Sequence, residues 1–408
     1  MSIMAKYSPF FWALLVTVPG CILRFLPHTD FSPFLLVLCA GVAILGASIL
    51  LTWTCEVAQL DMPQALAVAV VAFIAVLPEY AVDMYFTWMA GQAPESAYSH
   101  YAIANMTGAN RLLIGVGWSA IVLVFASRFK SAVELQDDKR TDVLFLGMAT
   151  LFALSIPLKG SLTWVDGLVF FAIYLWYMFI VGRRPTEDEE PEGPAAVIAA
   201  LPKSTRCACV AGLFLASAFV IVCNAEPFSE NLVKSGTLLG VDEFLLVQWL
   251  APLASEAPEF IVSLMFAFRG NPGLALGSLL ASKLNQWTLL VGMIPGCYAF
   301  SSGGLSPSIP LDSHQLQEIL LTAAQSIFAV ALLLDLKLHV REATWLLTLF
   351  VAQFLAPLYD VPLHAALEMP HDPLRLHGFF AQVYLAGAAV LLVKNWRLVW
   401  QLRQGFRV

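Results

Sequence analysis

The sequence predicts an all-α polytopic membrane protein: two inverted-topology repeats of five helices plus one extra helix at each end, about 12 transmembrane helices. Three observations predict it. Of 408 residues, 59% are hydrophobic and 12% charged, about half the charged fraction of an ordinary soluble domain. Apolar runs recur along the whole chain, and roughly 20 such residues carry one helix across a bilayer. Two proline-glutamate pairs, Pro78-Glu79 and Pro258-Glu259, lie inside such runs, 180 residues apart.

In chain order, the opening "MSIMAKYSPFFWALLVTVPGCIL" has the outline of a signal sequence. No small-x-small cleavage site follows its apolar run, so it is expected to remain as a first span, 9–26. The apolar runs then place spans at 33–54, 62–90, 101–127, 142–158 and 163–182. "RRPTEDEEPEGPAAV" is an acidic, proline-rich linker, too short for a regulatory domain. Spans follow at 207–225, 238–268, 272–297, 315–334, 343–359 and 376–394. The domain expectation is an extra N-terminal helix (1–32), a first repeat (33–182), a cytoplasmic linker (183–206), a second repeat (207–360), then an outer loop, an extra helix and a basic cytoplasmic tail (361–408). The seven cysteines are odd in number and scattered, so no disulfide framework is implied. Cys207 and Cys209 lack the second pair that a structural zinc site needs.

Orientation follows from Lys and Arg. With both termini in the cytoplasm, sixteen of the 22 basic residues fall inside, from Lys6 to Arg407. Arg24, Lys159, Lys234 and Arg375 fall outside or near the outer face, while Arg111 and Lys283 remain within spans. The expected location is a bacterial inner (plasma) membrane. On this orientation the span of Glu79 runs outward and that of Glu259 inward. Inverted repeats are a recurrent plan of secondary transporters, with the binding site near the bilayer midplane. The net charge of −7 says little about partners, because the charges sit mostly in loops. No nucleotide motif or nucleic-acid patch is present; the expected partners are inorganic cations and the lipid bilayer.

The deepest ionisable residues are Glu79, Asp83, Glu256, Glu259, Lys283 and Arg111. A charge at the centre of an isolated span costs roughly 2.5–3.5 kcal/mol, so such groups usually face a cavity or a partner. Glu79 and Asp83 are four apart, Glu256 and Glu259 three apart, so each pair shares a helical face. A proline beside each pair removes a helix hydrogen bond and frees a carbonyl. Carbonyls and carboxylates together suit a hard cation. The plain alternative is that these acids are structural partners of Lys283 and Arg111.

The motifs around these acids resemble those of the sodium/calcium exchanger (cation/Ca²⁺ antiporter) superfamily, in a divergent form. That family carries a segment like G-T-S-L-P-E and one like G-N-x-x-G-S-N in each repeat. "ASEAPEFIVSLMFAFRGNPGLALGSLLASKLNQ" follows this pattern, and "AVLPEYAVDM" with "AIANMTGANR" follows it across about seven extra residues near "GQAPESA". The resemblance implies an alternating-access antiporter with no cofactor, moving Ca²⁺ or Na⁺ against Na⁺ or H⁺. It implies Glu79 and Glu259 as central metal ligands and Asp83 and Glu256 as secondary acids. Ser255, Asn105, Asn110, Ser278 and Ser282 become polar wall residues. Departures are clear: Ala75 and Val76 replace the Thr-Ser pair of the first repeat, Glu256 replaces a hydroxyl in the second, and Leu113 and Gln286 hold the last polar positions. Lys283 replaces the asparagine of G-S-N, whose counterpart Asn110 is kept.

Two readings of Lys283 stay open. It is a site residue, a resident cation whose proton competes with the cargo, or a structural counter-ion for Glu256 or Glu259. A monovalent cation/proton antiporter that has lost Ca²⁺ transport is the rival carrier. A non-transporting membrane scaffold or enzyme is the rival of another class. Arg111 stays protonated and is expected to be an ion-pair anchor. The last outer loop holds His364, Glu368, His371, Asp372 and His377, without a fixed metal spacing and broken by Pro370 and Pro373; it is expected to be a solvated loop.

Overall fold

The computed structural model describes residues 3–26, 31–61, 76–183, 191, 193–240, 243–304, 308, 309, 311–356, 362, 365 and 373–406. The chain is helical, as a bilayer demands, because only intra-segment hydrogen bonding satisfies the backbone in hydrocarbon. Among the described residues, nine helices are long and apolar enough to cross a membrane. The remaining expected spans have helical counterparts at Leu77–Gln92, Pro272–Ser301 and Val340–Leu355. Two compact units emerge, Met1–Phe86 with Met178–Glu259, and Thr87–Tyr177 with Phe260–Val408.

The first unit is built on the helices Pro33–Ala58 and Lys203–Leu239. Pro33 opens the former at a position where its missing N–H costs nothing, and the Ser32 hydroxyl accepts from the Leu35 amide at 3.3 Å. The expected first span is broken, into Ile3–Leu15 and Val18–Phe25. It crosses closely over Pro33–Ala58: a Cβ on Gly46 would lie 2.8 Å from the Ala13 carbonyl oxygen.

Lys203–Leu239 corrects the expected span 207–225. It runs 37 residues, about 55 Å, because the polar run after Asn224 continues the helix instead of ending it. That run is held by partners from the same unit. Arg24 pairs with Glu226 at 2.6 Å, and Glu230 takes bonds from Tyr85 Oη and Lys234, each at 3.0 Å. At the helix start, Arg206 grips Asp61 through both carboxylate oxygens at 2.7 Å. The guanidinium holds the Asp61 carboxyl below its ordinary range.

The second unit contains Tyr98–Phe129, Asp137–Lys159, Trp164 onward, Pro272–Asn285, Val291–Ser301, Ser313–Leu332, Val340–Leu355 and Pro373–Lys394. Two of its helices pass through π segments, Leu113–Trp118 and Gln286–Leu290, which begin 173 residues apart. Such segments are rare and frequently mark functional sites. Ser313–Leu332 starts with a capping box, Asp312 accepting from the Gln315 amide and Gln315 from the Asp312 amide, both at 2.8 Å. Strands β1 (Val133–Glu134) and β2 (Lys337–Leu338) pair antiparallel, with Glu134 opposite Lys337. The end of the described chain packs on the same unit. Gly405 accepts a bond from the Thr141 hydroxyl at 2.8 Å, and Phe406 stacks on Trp176 with ring centroids 5.1 Å apart.

Candidate cation site

Within the first unit, Glu79, Asp83, Ser255 and Glu256 are buried, and Glu259 is half-buried. Glu79 lies near the start of the described helix Leu77–Gln92. The carbonyl that Pro78 would free, on Ile74, lies outside the described residues, as does Ala75.

In the segment of the second proline-glutamate pair, Pro252 and Pro258 are both interior to the continuous helix Glu243–Arg269. They leave the carbonyls of Gln248 and Ala254 without their helical donors. The hydroxyl of Ser255 approaches the carbonyls of Ala251 and Pro252, each at 3.2 Å, so its proton is used locally and its lone pairs remain for a ligand. Carboxylates and helix-breaking carbonyls are oxygen donors of the kind that suits a hard cation.

In the second unit, Lys283 is fully buried. Its ammonium donates to Asn110 Oδ1 at 2.7 Å and approaches the Asn110 carbonyl at 3.3 Å. It also stands 4.4 Å from the centre of the Trp287 ring, a cation–π contact. Asn110 is fixed by donating its amide to the Met106 carbonyl at 2.7 Å. The residue that departs from the motif thus bonds to the residue that keeps it at the equivalent position. Each lies three residues before a π segment. Asn105, Ser282 and Gln286 are buried nearby in sequence, but Ser278 is exposed and stands apart from the expected wall residues.

Arg111 is an ion-pair anchor, but its partner is an acid that sequence reasoning missed. It pairs with Glu318, and both are almost wholly buried. The other Glu318 oxygen lies 2.8 Å from His377 Nε2. Glu318 was hidden by its surroundings: "SHQLQEIL" reads as the polar start of a span, and only the fold turns that start inward. His377 belongs to Pro373–Lys394, which corrects its expected place in a solvated loop. His364, Glu368, His371 and Asp372 lie outside the described residues.

Comparison with known proteins places the chain in a family. The family model described as sodium/calcium exchanger protein matches residues 31–183 and 209–359. A solved H⁺/Ca²⁺ exchanger, CAX, is 40% identical, with 98% of each chain covered and a TM-score of 0.89. The Ca²⁺/H⁺ antiporter protein YfkE is 14% identical, covering 85% of this chain and 98% of its own, with a TM-score of 0.62. The sodium-calcium exchanger NCX_Mj is 18% identical, covering 78% and 95%, with a TM-score of 0.51; these last two likenesses are of fold. An uncharacterized membrane protein of Methanocaldococcus jannaschii is 24% identical over 200 residues, 46% of this chain, and the chain spans 60% of that relative's length. The chain belongs to the sodium/calcium exchanger family of cation antiporters.

Proposed function

We propose that the protein exchanges Ca²⁺ for H⁺ across the membrane by alternating access. The observation that carries this reading is the 40% identity over 98% of the chain to a solved protein described as an H⁺/Ca²⁺ exchanger. The chemistry agrees with it. Glu79 and Glu259 are the proposed central ligands, with Asp83 and Glu256 as further acids, and a carboxylate can hold a proton or a share of Ca²⁺ but not both. Proton release on cation binding then follows from competition for the same oxygens.

A monovalent cation/proton antiporter that has lost Ca²⁺ transport is the second reading, favoured by one observation. Lys283 places a resident ammonium where the family motif has an asparagine, which removes one neutral ligand position. The proposed organisation is two repeats, 33–182 and 207–360, joined by the linker 183–206, in a bacterial plasma membrane with both termini cytoplasmic. The family match to 31–183 and 209–359 supports it. So does the first unit, where Arg24 and Lys234 engage acids near one end of Lys203–Leu239 and Lys203 and Arg206 lie at the other.

The test is Ca²⁺ flux in proteoliposomes under imposed H⁺ and Na⁺ gradients, one at a time. A pH gradient should drive uptake, and Glu79→Gln and Glu259→Gln should each abolish it. Na⁺ flux driven by a pH gradient, with no Ca²⁺ flux under any gradient, would favour the second reading, and transport surviving both substitutions would remove the assigned ligands.

A further inference from the structure

The Glu318 cluster has a donor set unlike that of the proposed transport ligands. His314 and Glu318 are four apart on Ser313–Leu332, so both project from one face of that helix. His377 approaches from Pro373–Lys394. One ligand atom from each of the three residues lies within 4.8 Å of the other two. The His314 and His377 rings meet edge to face, with centroids 5.3 Å apart.

We propose that His314, Glu318 and His377 form a binding site for one divalent transition-metal ion of the zinc class, separate from the carboxylate ligands of transport. Two imidazoles and one carboxylate are the ligand types that zinc, cobalt and nickel prefer, whereas Ca²⁺ takes oxygens alone. The geometry is close to what a tetrahedral ion needs. Bonds of ~2.0–2.1 Å place two ligands about 3.4 Å apart. Glu318 Oε1 and His377 Nε2 are already 2.8 Å apart, and the third donor needs to close by at most about 1.4 Å. A water completes the fourth position.

Arg111 supplies the orientation. By holding one carboxylate oxygen of Glu318 it turns the other toward the two imidazoles, the role outer partners play for ligating carboxylates. Asp312, 3.6 Å from His100 Nδ1, precedes His314 by two residues and adds a negative group beside the site. An ion here would tie Ser313–Leu332 to Pro373–Lys394 through the side chains of all three residues.

The experiment is a Co²⁺ titration of the full-length protein in detergent after stripping with EDTA, followed by Zn²⁺ competition. The expected result is a saturable visible d–d spectrum of tetrahedral, nitrogen-containing Co²⁺ at one equivalent, bleached by one equivalent of Zn²⁺. His314→Ala and His377→Asn should each weaken it by ~100-fold or more, at or above the upper end of the loss for an outer-shell change. Glu79→Gln should leave it unchanged. Absence of such a spectrum, unchanged affinity in both histidine variants, or loss in Glu79→Gln would each overturn the site. Two separate histidine variants, each checked for a monodisperse elution profile, keep a folding failure from passing as a loss of ligand. The outcome is independent of Ca²⁺ flux, so it stands or falls apart from the transport assignment.

Discussion

Lys283 donates a 2.7 Å hydrogen bond to Asn110, the residue at the same place in the other half's motif, 173 positions earlier. A buried ammonium that bonds to its own counterpart is held by geometry as well as charge. Removing it leaves Asn110 Oδ1 without this donor, at about 1–3 kcal/mol.

Lys283→Ala is expected to shift the pH dependence of Ca²⁺ flux and to lower thermal stability in detergent. Lys283→Asn, which restores the motif residue, should recover stability through an amide–amide bond while retaining altered ion coupling. Unchanged stoichiometry and pH profile in both variants would show that the lysine is structural.

The Arg111–Glu318 pair predicts strong non-additivity. Arg111→Met strands a buried carboxylate, a change that costs roughly 3–5 kcal/mol, whereas replacing both partners by apolar residues is often nearly neutral. The double variant Arg111→Met/Glu318→Leu should therefore melt above Arg111→Met alone. Additive losses in a double-mutant cycle would contradict the direct pairing.

Asp61 predicts an acid-side effect. Its carboxyl is held below the ordinary value, chiefly by hydrogen bonding from Arg206. A depressed carboxylate stabilises the fold above its unfolded pKa, and that contribution is lost as pH falls through the folded pKa. Asp61→Asn should thus melt lower than the parent at neutral pH, and the two curves should converge below the usual carboxylate range. A gap that persists in acid would assign the effect to packing instead.

Gly115 predicts a steric rescue. A Cβ there would sit 2.3 Å from Phe350 Cδ2, closer than a packed interior admits. Gly115→Ala should cost about 1–3 kcal/mol, and Phe350→Leu should restore part of it. No rescue in thermal melts would mean that the backbone of the π segment, not the ring, excludes the methyl group.

Much of this arrangement was legible because hydrophobic runs in a membrane have few alternatives. The helices Pro33–Ala58, Trp164–Val181 and Ser313–Leu332 follow directly from run length. The motif pairs also announced themselves, since a carboxylate in oil needs a reason. Other features were hidden for specific reasons. The run "NAEPFSEN" has a loop's composition, yet Arg24 and Tyr85 neutralise or bond its acids and keep it helical. Pro258 lies inside the continuous helix Glu243–Arg269, whereas residues 62–75, which lead up to Pro78, lie outside the described ones. Glu318 had no local signal, because its partners Arg111 and His377 come from distant helices.

The two π segments have a consequence for any wheel drawn on these helices. One added residue rotates everything downstream by about 100°. In Tyr98–Phe129 the face carrying Asn110 and the face expected by counting on past Trp118 are out of phase. The same slip recurs after Lys283. Each segment acts as a rotary offset, letting one rod aim its polar half and its apolar half along different bearings. Deleting a single residue within 113–118 would erase that offset and swing the Ser119–Phe129 half through more than a quarter turn of the wheel, moving its buried row off its neighbours.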